Sequence, residues 1–401
     1  MAVNGLIVWF VSTLFVVYSF CLNTASAVFA PAIKSTLQAT DLGVSVATGA
    51  FILGYACMQI PVGFLLDKMN ARYVVSTGLL LLVAGNIAIT FSNNLVLFTL
   101  SNFLQGIGAS FAFVAAAVLI AQWFSTTIFP ILFGLTQAIS CISAGIIHYY
   151  FTVALKTHNW TDIYTVLAIC GTILLFLTIV FVRSPETKTG QSTLTLKQSL
   201  SQVLKNRQIL LCTIAASTSF GVLLAYASLW YMPVQSFYSV ENLQAVGISG
   251  LIFAGLGIGT PLLGWLSNKV KSRTMILHVT LVLGTMGLLL CLYLPHFNID
   301  TLIIIKIISF LTGFFLSGSM IFYTIVSEIS SNETRGVAVS VLNTAVYLFN
   351  TFILFIPYLF FTAFSQQFFT YLWLLPFFIL ISILLMYFIK NSYGKPSTEG
   401  E

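Results

Sequence analysis

Charged residues are scarce in this chain, and their scarcity excludes an ordinary soluble fold. Asp, Glu, Lys and Arg make up 6% of the 401 residues, whereas hydrophobic residues make up 58%. A globular domain that faces water carries roughly 25% charged residues. The mean hydropathy of +1.01 is correspondingly high. We therefore predict that most of the surface faces lipid and that the backbone polar groups are paired inside the fold.

Motifs for catalysis and for cofactor or metal binding are also missing. The six cysteines form no Cys-x-x-Cys pair and lie within apolar runs, which is typical of small buried side chains. The sequence contains no His-Glu-x-x-His, no Gly-x-Ser-x-Gly and no nucleotide-binding glycine loop. We therefore expect neither an enzyme nor a bound cofactor or metal ion.

Apolar runs long enough to cross a bilayer as helices occur twelve times, in two sets of six. The first set covers residues 6–29, 44–66, 73–92, 95–122, 129–151 and 162–183, and the second covers 209–235, 246–268, 274–295, 301–327, 337–361 and 370–390. Strands of a lipid-facing barrel would be shorter and alternate in polarity. The pattern predicts an all-α membrane protein with twelve transmembrane helices.

A polar stretch near the middle of the chain separates the two sets. We predict an N-terminal six-helix bundle over residues 1–183, a cytoplasmic linker over 184–207, a C-terminal six-helix bundle over 208–390 and a cytoplasmic tail over 391–401.

The basic residues predict the orientation. Thirteen of the 16 Lys and Arg residues fall on one side of the membrane when both termini are cytoplasmic. Such an excess marks the cytoplasmic side. The net charge of +6 therefore reflects topology and does not indicate nucleic-acid binding. Short loops and the absence of a large soluble domain favour a bacterial inner membrane.

A ten-residue pattern recurs after the second span of each set. Residues 63–72 read GFLLDKMNAR, and residues 264–273 read GWLSNKVKSR. Both fit Gly-x3-[Asp/Asn]-Lys-x3-Arg and lie 201 residues apart, at equivalent places in the two sets. The match predicts that the chain is a parallel repeat of two six-helix halves.

These two loops resemble the signature loops of the major facilitator superfamily of secondary transporters. The resemblance covers the whole chain in length, span number and repeat spacing, and it implies two six-helix bundles related by a pseudo-twofold axis. In that family the Gly permits close helix approach, and the Asp caps a helix end and pairs with Arg. By resemblance, the predicted gating residues are Gly63, Asp67, Arg72, Gly264, Arg273 and Arg335. The alternative is that the basic residues only anchor the loops on the cytoplasmic side.

Two further segments resemble a mostly bacterial subgroup of this superfamily. They are residues 229–233, LWYMP, and residues 257–267, GIGTPLLGWLS. The subgroup includes nutrient importers of intracellular bacteria, phagosomal amino-acid and nucleoside transporters, and lysosomal dipeptide carriers. The resemblance implies uptake of a nutrient.

In the superfamily, spans 1, 4, 7 and 10 line a central cavity, and these spans carry polar side chains here. The predicted substrate-binding residues are Asn23, Asn102, Gln105, Tyr226, Trp230, Lys306 and Ser309. A charge in hydrocarbon is costly and usually marks a cavity or a functional path, so Lys306 could hold a substrate carboxylate or phosphate. Alternatively, Lys306 snorkels outward past Asp300, and the uncharged polar and aromatic side chains pack helices together.

Acidic residues are absent from the middle of every predicted span. Proton-driven carriers usually need a buried acid that changes charge. Residues 134–145 also contain no proline, whereas drug/proton antiporters of the family carry a Gly-Pro signature there. These absences argue against multidrug proton antiport. They favour facilitated diffusion, or coupling, with protons as a candidate ion, through Asp41, Asp300 or the charge of the substrate.

The sequence thus predicts an alternating-access transporter of a small polar organic solute, such as an amino acid, a short peptide, a nucleoside or an organic acid. Export of a siderophore-like or toxic compound is the alternative within transport. The alternative from another functional class is a receptor or scaffold that kept the fold but does not transport. The expected partners are the small-molecule substrate and the lipid bilayer, and we expect a monomer.

Overall fold

The structure is a computed structural model, and it is helical throughout the part of the chain that it describes. That part comprises residues 2–185, 193–231, 234–235, 242–294, 302–360 and 372–394. Strands are absent from these residues. Helices are the expected solution for a lipid-facing chain, because they satisfy every backbone N–H and C=O within one segment.

The described residues form fifteen α-helices. They are α1 Ala2–Val28, α2 Ala30–Thr36, α3 Asp41–Lys68, α4 Ala71–Thr90, α5 Leu95–Trp123, α6 Phe129–Ala154, α7 Trp160–Phe181, α8 Leu196–Lys205, α9 Arg207–Ala225, α10 Asn242–Lys269, α11 Arg273–Tyr293, α12 Leu302–Leu316, α13 Ile321–Ile329, α14 Arg335–Phe360 and α15 Leu374–Met386. A π-helical turn, Tyr226–Trp230, extends α9, and a 3₁₀ turn, Ser317–Met320, joins α12 to α13.

The helices confirm the predicted membrane spans. Within the described ranges, eleven helices are long and apolar enough to cross a membrane, with α12, the 3₁₀ turn and α13 forming one span. The twelfth predicted span, 370–390, contains the shorter apolar helix α15. Its first two residues, 370 and 371, lie outside the described residues. The chain is therefore an integral membrane protein.

Side-chain exposure shows why these helices suit lipid. Along α7, Val166, Ile169, Ile173 and Phe176 are each more than half exposed. Residues three and four apart lie on one face of a helix. An apolar stripe of this kind would be unfavourable in water and is stabilised in a bilayer.

One helix lies inside the segment that the sequence marked only as a linker. Helix α8 buries Ser199 and Val203 and exposes Lys197 and Lys205. It begins after Thr195, whose backbone N–H and hydroxyl donate to the side-chain oxygen of Gln198, while the backbone N–H of Gln198 donates to the Thr195 hydroxyl oxygen. This reciprocal arrangement starts a helix that has too few apolar residues to be predicted from hydropathy.

The chain divides into two compact units. The first comprises Met1–Ser125, Ile142–Leu200 and Asn332–Ser340, and the second comprises Thr126–Cys141, Ser201–Ser331 and Val341–Glu401. Helices α6, α8 and α14 therefore each begin in one unit and end in the other.

In the first unit, α3 packs closely along α5 because glycines remove the side chains between them. A Cβ atom at Gly54 would overlap the backbone carbonyl of Phe103, and one at Gly106 would overlap the carbonyl of Phe51. Only glycine permits backbones to approach this closely.

The second unit repeats this packing in α10 and α12. A Cβ atom at Gly255 would overlap the carbonyl of Phe310, and one at Gly313 would overlap the carbonyl of Ile252. Helices α3 and α10 both contain 28 residues, with a proline inside each. The internal repeat predicted from two loops therefore extends into the helix contacts.

Candidate functional site

The first signature loop places Asp67 against the first turn of α14. Its two carboxylate oxygens accept hydrogen bonds from the backbone N–H groups of Gly336 (2.7 Å) and Val337 (2.9 Å). The first N–H groups of a helix lack partners within that helix, and the helix dipole favours negative charge there. We call residues 63–72 together with residues 335–340 the first latch.

Glycine makes this approach possible. A Cβ atom at Gly63 would overlap both the carbonyl oxygen of Gly336 and the hydroxyl of Ser340. Gly63 and Asp67 lie one helical turn apart on the same face of α3. The spacing of the signature pattern therefore places Gly63, which leaves room for α14, and Asp67, which caps α14, on the same face of α3.

The two arginines of this region differ in their surroundings. The Arg335 side chain lies close enough to Asp67 for an electrostatic interaction. The side chain of Arg72 makes no ion pair with any described residue, and its backbone N–H is capped by Asn70 at 2.9 Å. Asp67 and Arg72, both within the described residues, form no ion pair, so the pairing that the resemblance implied is not formed in this structure.

The second signature loop contacts the start of α6 in the equivalent way. A Cβ atom at Gly264 would lie within 2.8 Å of the carbonyl oxygen of Pro130. Asn268 stands where the first loop has an acid, and its Nδ2 donates to the backbone carbonyl of Thr127. An amide can donate as well as accept, so this loop binds a carbonyl where the first loop binds amides. We call residues 264–273 together with Thr126, Thr127 and Glu328 the second latch.

Arg273 is the centre of the second latch and is fully buried. Its Nη1 donates to Ser267 Oγ and to Asn268 Oδ1, both at 2.6 Å. Its Nη2 donates to the carbonyl of Thr126 at 3.2 Å and to Glu328 Oε1 at 2.8 Å. The side chains of Arg273 and Glu328 are 1% and 3% exposed, respectively. A buried ion pair needs such additional hydrogen bonds to offset the loss of hydration.

Asn102, a predicted substrate ligand, belongs to a buried polar network in the first unit. Its Oδ1 accepts from Ser26 Oγ at 2.9 Å, and its Nδ2 donates to the carbonyl of Ala47 at 3.3 Å. The same Ser26 hydroxyl lies 3.2 Å from the Tyr164 hydroxyl. In this conformation Asn102 links α1, α3 and α5, and its side chain is fully buried.

A separate buried polar cluster in the first unit includes Asn86, which was not among the predicted site residues. Asn86 Nδ2 donates to the Tyr18 hydroxyl at 3.0 Å, which in turn donates to the carbonyl of Leu167 at 2.9 Å. Gln105 is fully buried, and neither polar atom of its amide has a hydrogen-bond partner among the described residues. Asn86 and Tyr164 lie in spans 3 and 6, so a search confined to cavity-lining spans overlooks them.

Asn23 differs from these buried side chains. It lies on α1, three residues before Ser26, and its side chain is exposed. The hydrogen bonds found in the described ranges include none to its amide. Of the three predicted substrate-binding residues in the first unit, Asn23 is exposed, whereas Asn102 and Gln105 are buried.

In the second unit, the predicted aromatic residues lie in the π-helical turn that ends α9. Tyr226 is fully buried, and Trp230 is 2% exposed and donates from Nε1 to the carbonyl of Ile353 at 3.3 Å. Ser309 is buried with its hydroxyl 3.5 Å from the thiol of Cys291. In this conformation all three side chains pack between helices, and π turns occur frequently at functional sites.

Lys306 lies on α12, four residues after its first residue, and is half-buried. Its neighbours Ile303 and Ile307 are 68% and 55% exposed. Within the described part of the chain, its ammonium group makes no ion pair. Asp300, the outward partner considered from the sequence, lies outside the described residues.

The fold and the two latches define a class of membrane protein, and comparison with known proteins identifies it. Residues 11–349 match the model of the Major Facilitator Superfamily. The match covers most of the chain, so the chain belongs to the Major Facilitator Superfamily.

Solved structures confirm the fold class. The proton:xylose symporter XylE, bound to 6-bromo-6-deoxy-D-glucose, aligns over 98% of both chains with a TM-score of 0.76 and 14% identity. The transporter FucP in the outward conformation aligns over 94% of this chain and 97% of its own, with a TM-score of 0.75 and 14% identity. The fold is therefore that of twelve transmembrane helices arranged as two six-helix bundles with a parallel repeat.

The relatives found by sequence align over a smaller share of the chain than the solved structures do. The uncharacterized transporter YybO of Bacillus subtilis is 29% identical over 29% of this chain and 27% of its own length. The uncharacterized MFS-type transporter YcxA of the same species is 25% identical over 64% and 63%. The multidrug resistance protein MdtL of Escherichia coli is 21% identical over 66% and 68%. The matches therefore span about a quarter to two thirds of these curated relatives.

Proposed function

We propose that this protein transports a small polar organic solute across a membrane by alternating access, with uptake as the direction. Membership of the superfamily and the two latches support transport. The observation that carries the substrate class is Lys306, a cation within a predicted span that has no ion pair among the described residues. Such a residue usually faces a cavity or a pathway.

Lys306 favours a substrate with an anionic group. An ammonium group that is partly removed from water gains most from a carboxylate or phosphate that enters with the substrate. The absence of Asp and Glu from the middle of the spans leaves no fixed acid of the sequence there to neutralise it. Among the predicted substrates, the chemistry fits an amino acid, a short peptide or an organic acid better than a nucleoside, and better than a neutral sugar.

Asn23 could contribute the second polar contact. Its amide can donate and accept, and the side chain is exposed on α1. The buried residues Asn102 and Gln105 would then act through the helix packing that positions α1. The resemblance to nutrient importers of intracellular bacteria and to dipeptide carriers of lysosomes agrees with such a zwitterionic or anionic substrate.

A ligand-binding screen tests this proposal. The native protein, Lys306→Ala and the control Lys156→Ala are purified in detergent and melted with amino acids, dipeptides, nucleosides, organic acids and sugars. Lys156 is an exposed loop lysine on the same predicted side. A ligand that binds only the folded state raises the free energy of unfolding, by about 2.7 kcal/mol when its concentration is 100 times Kd. The melting temperature rises accordingly.

We expect one anionic or zwitterionic class to stabilise the native protein and Lys156→Ala but not Lys306→Ala. Equal stabilisation of all three proteins by neutral solutes would show that Lys306 is a snorkelling anchor and that the substrate is not anionic. The proton-independent form of the proposal fails if uptake of the identified ligand scales with an imposed pH gradient.

Export is the second candidate function, and the relative MdtL supports it because it is named as a multidrug resistance protein. The missing acids and the missing proline in residues 134–145 argue against it. Lipophilic cations in the same screen test whether the substrate resembles a drug, as expected of an exporter, or an anionic nutrient. Stabilisation by these compounds, retained in Lys306→Ala, would favour export over uptake.

A further inference from the structure

The end of the described chain reaches the second latch and contacts its central arginine. Asn391 Oδ1 accepts from the backbone N–H of Arg273 at 2.8 Å, and Asn391 Nδ2 donates to the carbonyl of Lys271 at 3.4 Å. Asn391 therefore caps the first turn of α11 from outside that helix. We call Asn391, Ser392 and Tyr393 the tail clasp.

The other two residues of the tail clasp touch the buried ion pair itself. The Ser392 hydroxyl donates to Glu328 Oε2, the carboxylate oxygen that Arg273 leaves available. The Tyr393 ring centroid lies 5.0 Å from the guanidinium carbon of Arg273. A cation over an aromatic face at this distance is attracted to the ring. Together these contacts cover both members of the pair, and Ser392 is 3% exposed.

The residues just before the tail clasp are held in place by the start of α9. Gln208 Nε2 donates to the carbonyl of Phe388 at 3.1 Å, and Gln208 Oε1 accepts from the backbone N–H of Lys390 at 2.9 Å. One glutamine side chain thus binds two backbone groups of the approaching tail. The position of the tail clasp is therefore specified by its own contacts and by those of the residues that lead into it.

We propose that the tail clasp positions Arg273 and Glu328 and thereby holds the second latch closed, so that release of the C-terminal tail opens this latch and leaves the first latch unaffected. The proposal deepens the proposed transport function and rests on it for its role in a transport cycle. Its structural part, control of the second latch by the tail, stands apart from any substrate.

The chemical difference between the two latches explains why only the second needs a clasp. In the first latch, Asp67 brings its own charge to the start of α14. In the second latch, neutral Asn268 occupies that position, and Arg273 takes its counter-charge from Glu328. A single buried ion pair is stabilising only when its remaining donors and acceptors are satisfied. Ser392 gives the second carboxylate oxygen a donor and Tyr393 covers the guanidinium face, whereas Arg273 Nε has no hydrogen-bond partner among the described residues.

Two truncations of the 401-residue chain test the proposal. One ends after Lys390 and removes the tail clasp, and the matched control ends after Gly394 and retains it. Backbone amide hydrogen exchange is measured by mass spectrometry on peptides covering residues 264–275 and 321–330. Peptides covering residues 60–72, in the first latch, serve as the internal control. Exchange reports the free energy of local opening.

We expect exchange in the second latch to rise about tenfold in the shorter protein, which corresponds to about 1.4 kcal/mol in opening free energy. Exchange in the first latch and in the protein that ends after Gly394 should match the native chain. Equal exchange in the two truncated proteins overturns the proposal. A uniform rise across the second unit also overturns it, because the tail would then support that unit without acting on the latch.

Point variants separate the ring contact from chain length. Tyr393→Phe keeps the aromatic face over Arg273 and should retain native exchange, whereas Tyr393→Leu should show part of the rise seen in the shorter protein, because Asn391 and Ser392 still make their contacts. Faster exchange in both variants, or in neither, contradicts the assigned contact. These measurements need no substrate, so failure to detect transport would count against the proposed function and would leave this result standing.

Discussion

At the scale of single residues, the two copies of one sequence pattern use different chemistry for the same contact. Asp67 presents two acceptors to the N–H groups of α14, whereas Asn268 presents a donor to a carbonyl before α6 and an acceptor to Arg273. The substitution of Asp by Asn therefore changes which backbone groups the second loop can bind. Position 268 carries no negative charge, and the counter-ion of Arg273 is instead Glu328, which lies on a different helix.

Asp67→Asn should destabilise the first latch. The variant keeps one oxygen, so one of the two α14 amides loses its acceptor, and the negative charge at the helix start disappears. We expect a loss of about 1–3 kcal/mol in the free energy of unfolding, measured by denaturation in detergent. Asp162→Asn, at the exposed start of α7, is the matched control and should cost less. Equal losses would show that Asp67 has no special role.

Glu328→Gln should be more damaging than Asp67→Asn, because it leaves Arg273 as a buried charge without a counter-ion. Removing one partner of a buried ion pair costs about 3–5 kcal/mol. The amide can still accept from Arg273, so the lower end of that range is expected in the same denaturation experiment. Glu333→Gln changes an exposed acid five residues away and should be close to neutral. A neutral effect of Glu328→Gln would contradict the central role of the pair.

At the scale of the helices, glycines set the distances that the fold depends on. The contact between α3 and α5 and the contact between α10 and α12 use glycines at equivalent positions, so the repeat is built into the packing as well as into the loops. Elsewhere on the same helices, glycines face open space. This difference allows variants with the same chemistry to be compared within one helix.

Gly54→Ala in α3 and Gly255→Ala in α10 should each destabilise the protein by about 1–3 kcal/mol, because the added methyl group would force the helices apart. Gly49→Ala and Gly250→Ala, where the methyl group would have no neighbour within 4 Å, should be neutral or stabilising by up to about 1 kcal/mol. Thermal unfolding of the four variants in one detergent measures the difference. Similar effects of all four would contradict this account of the helix contacts.

The sequence predicts the helices of this structure well and the contacts of the candidate site only in part. Hydropathy predicts the spans because lipid exposure is a property of each segment alone, and the signature pattern predicts that Gly63 and Asp67 share a face. The partners of Asn102 and Arg273 are far away in the chain, and no local signal specifies them. The π-helical turn at Tyr226–Trp230 and the contacts of Tyr393 depend on tertiary packing for the same reason.

At the scale of the whole molecule, a chain with few charges places several of them at buried contacts or within a membrane span. Asp67, Arg273 and Glu328 stabilise the two latches, and Lys306 remains within a span without an ion pair among the described residues. Burying a charge is costly, so each such residue needs a compensating contact or a ligand. The latches supply that contact within the protein, whereas Lys306 is proposed to obtain it from the transported solute.

Counterflow in reconstituted vesicles tests the central claim, transport of a small polar solute, most directly. Vesicles that contain the purified protein and an unlabelled solute from the stabilising class are diluted into the labelled solute. We predict saturable accumulation of label that is absent from protein-free vesicles and greatly reduced with Lys306→Ala. Folded protein that binds the solute but produces no flux above protein-free vesicles would contradict transport and would favour a receptor that has kept the fold.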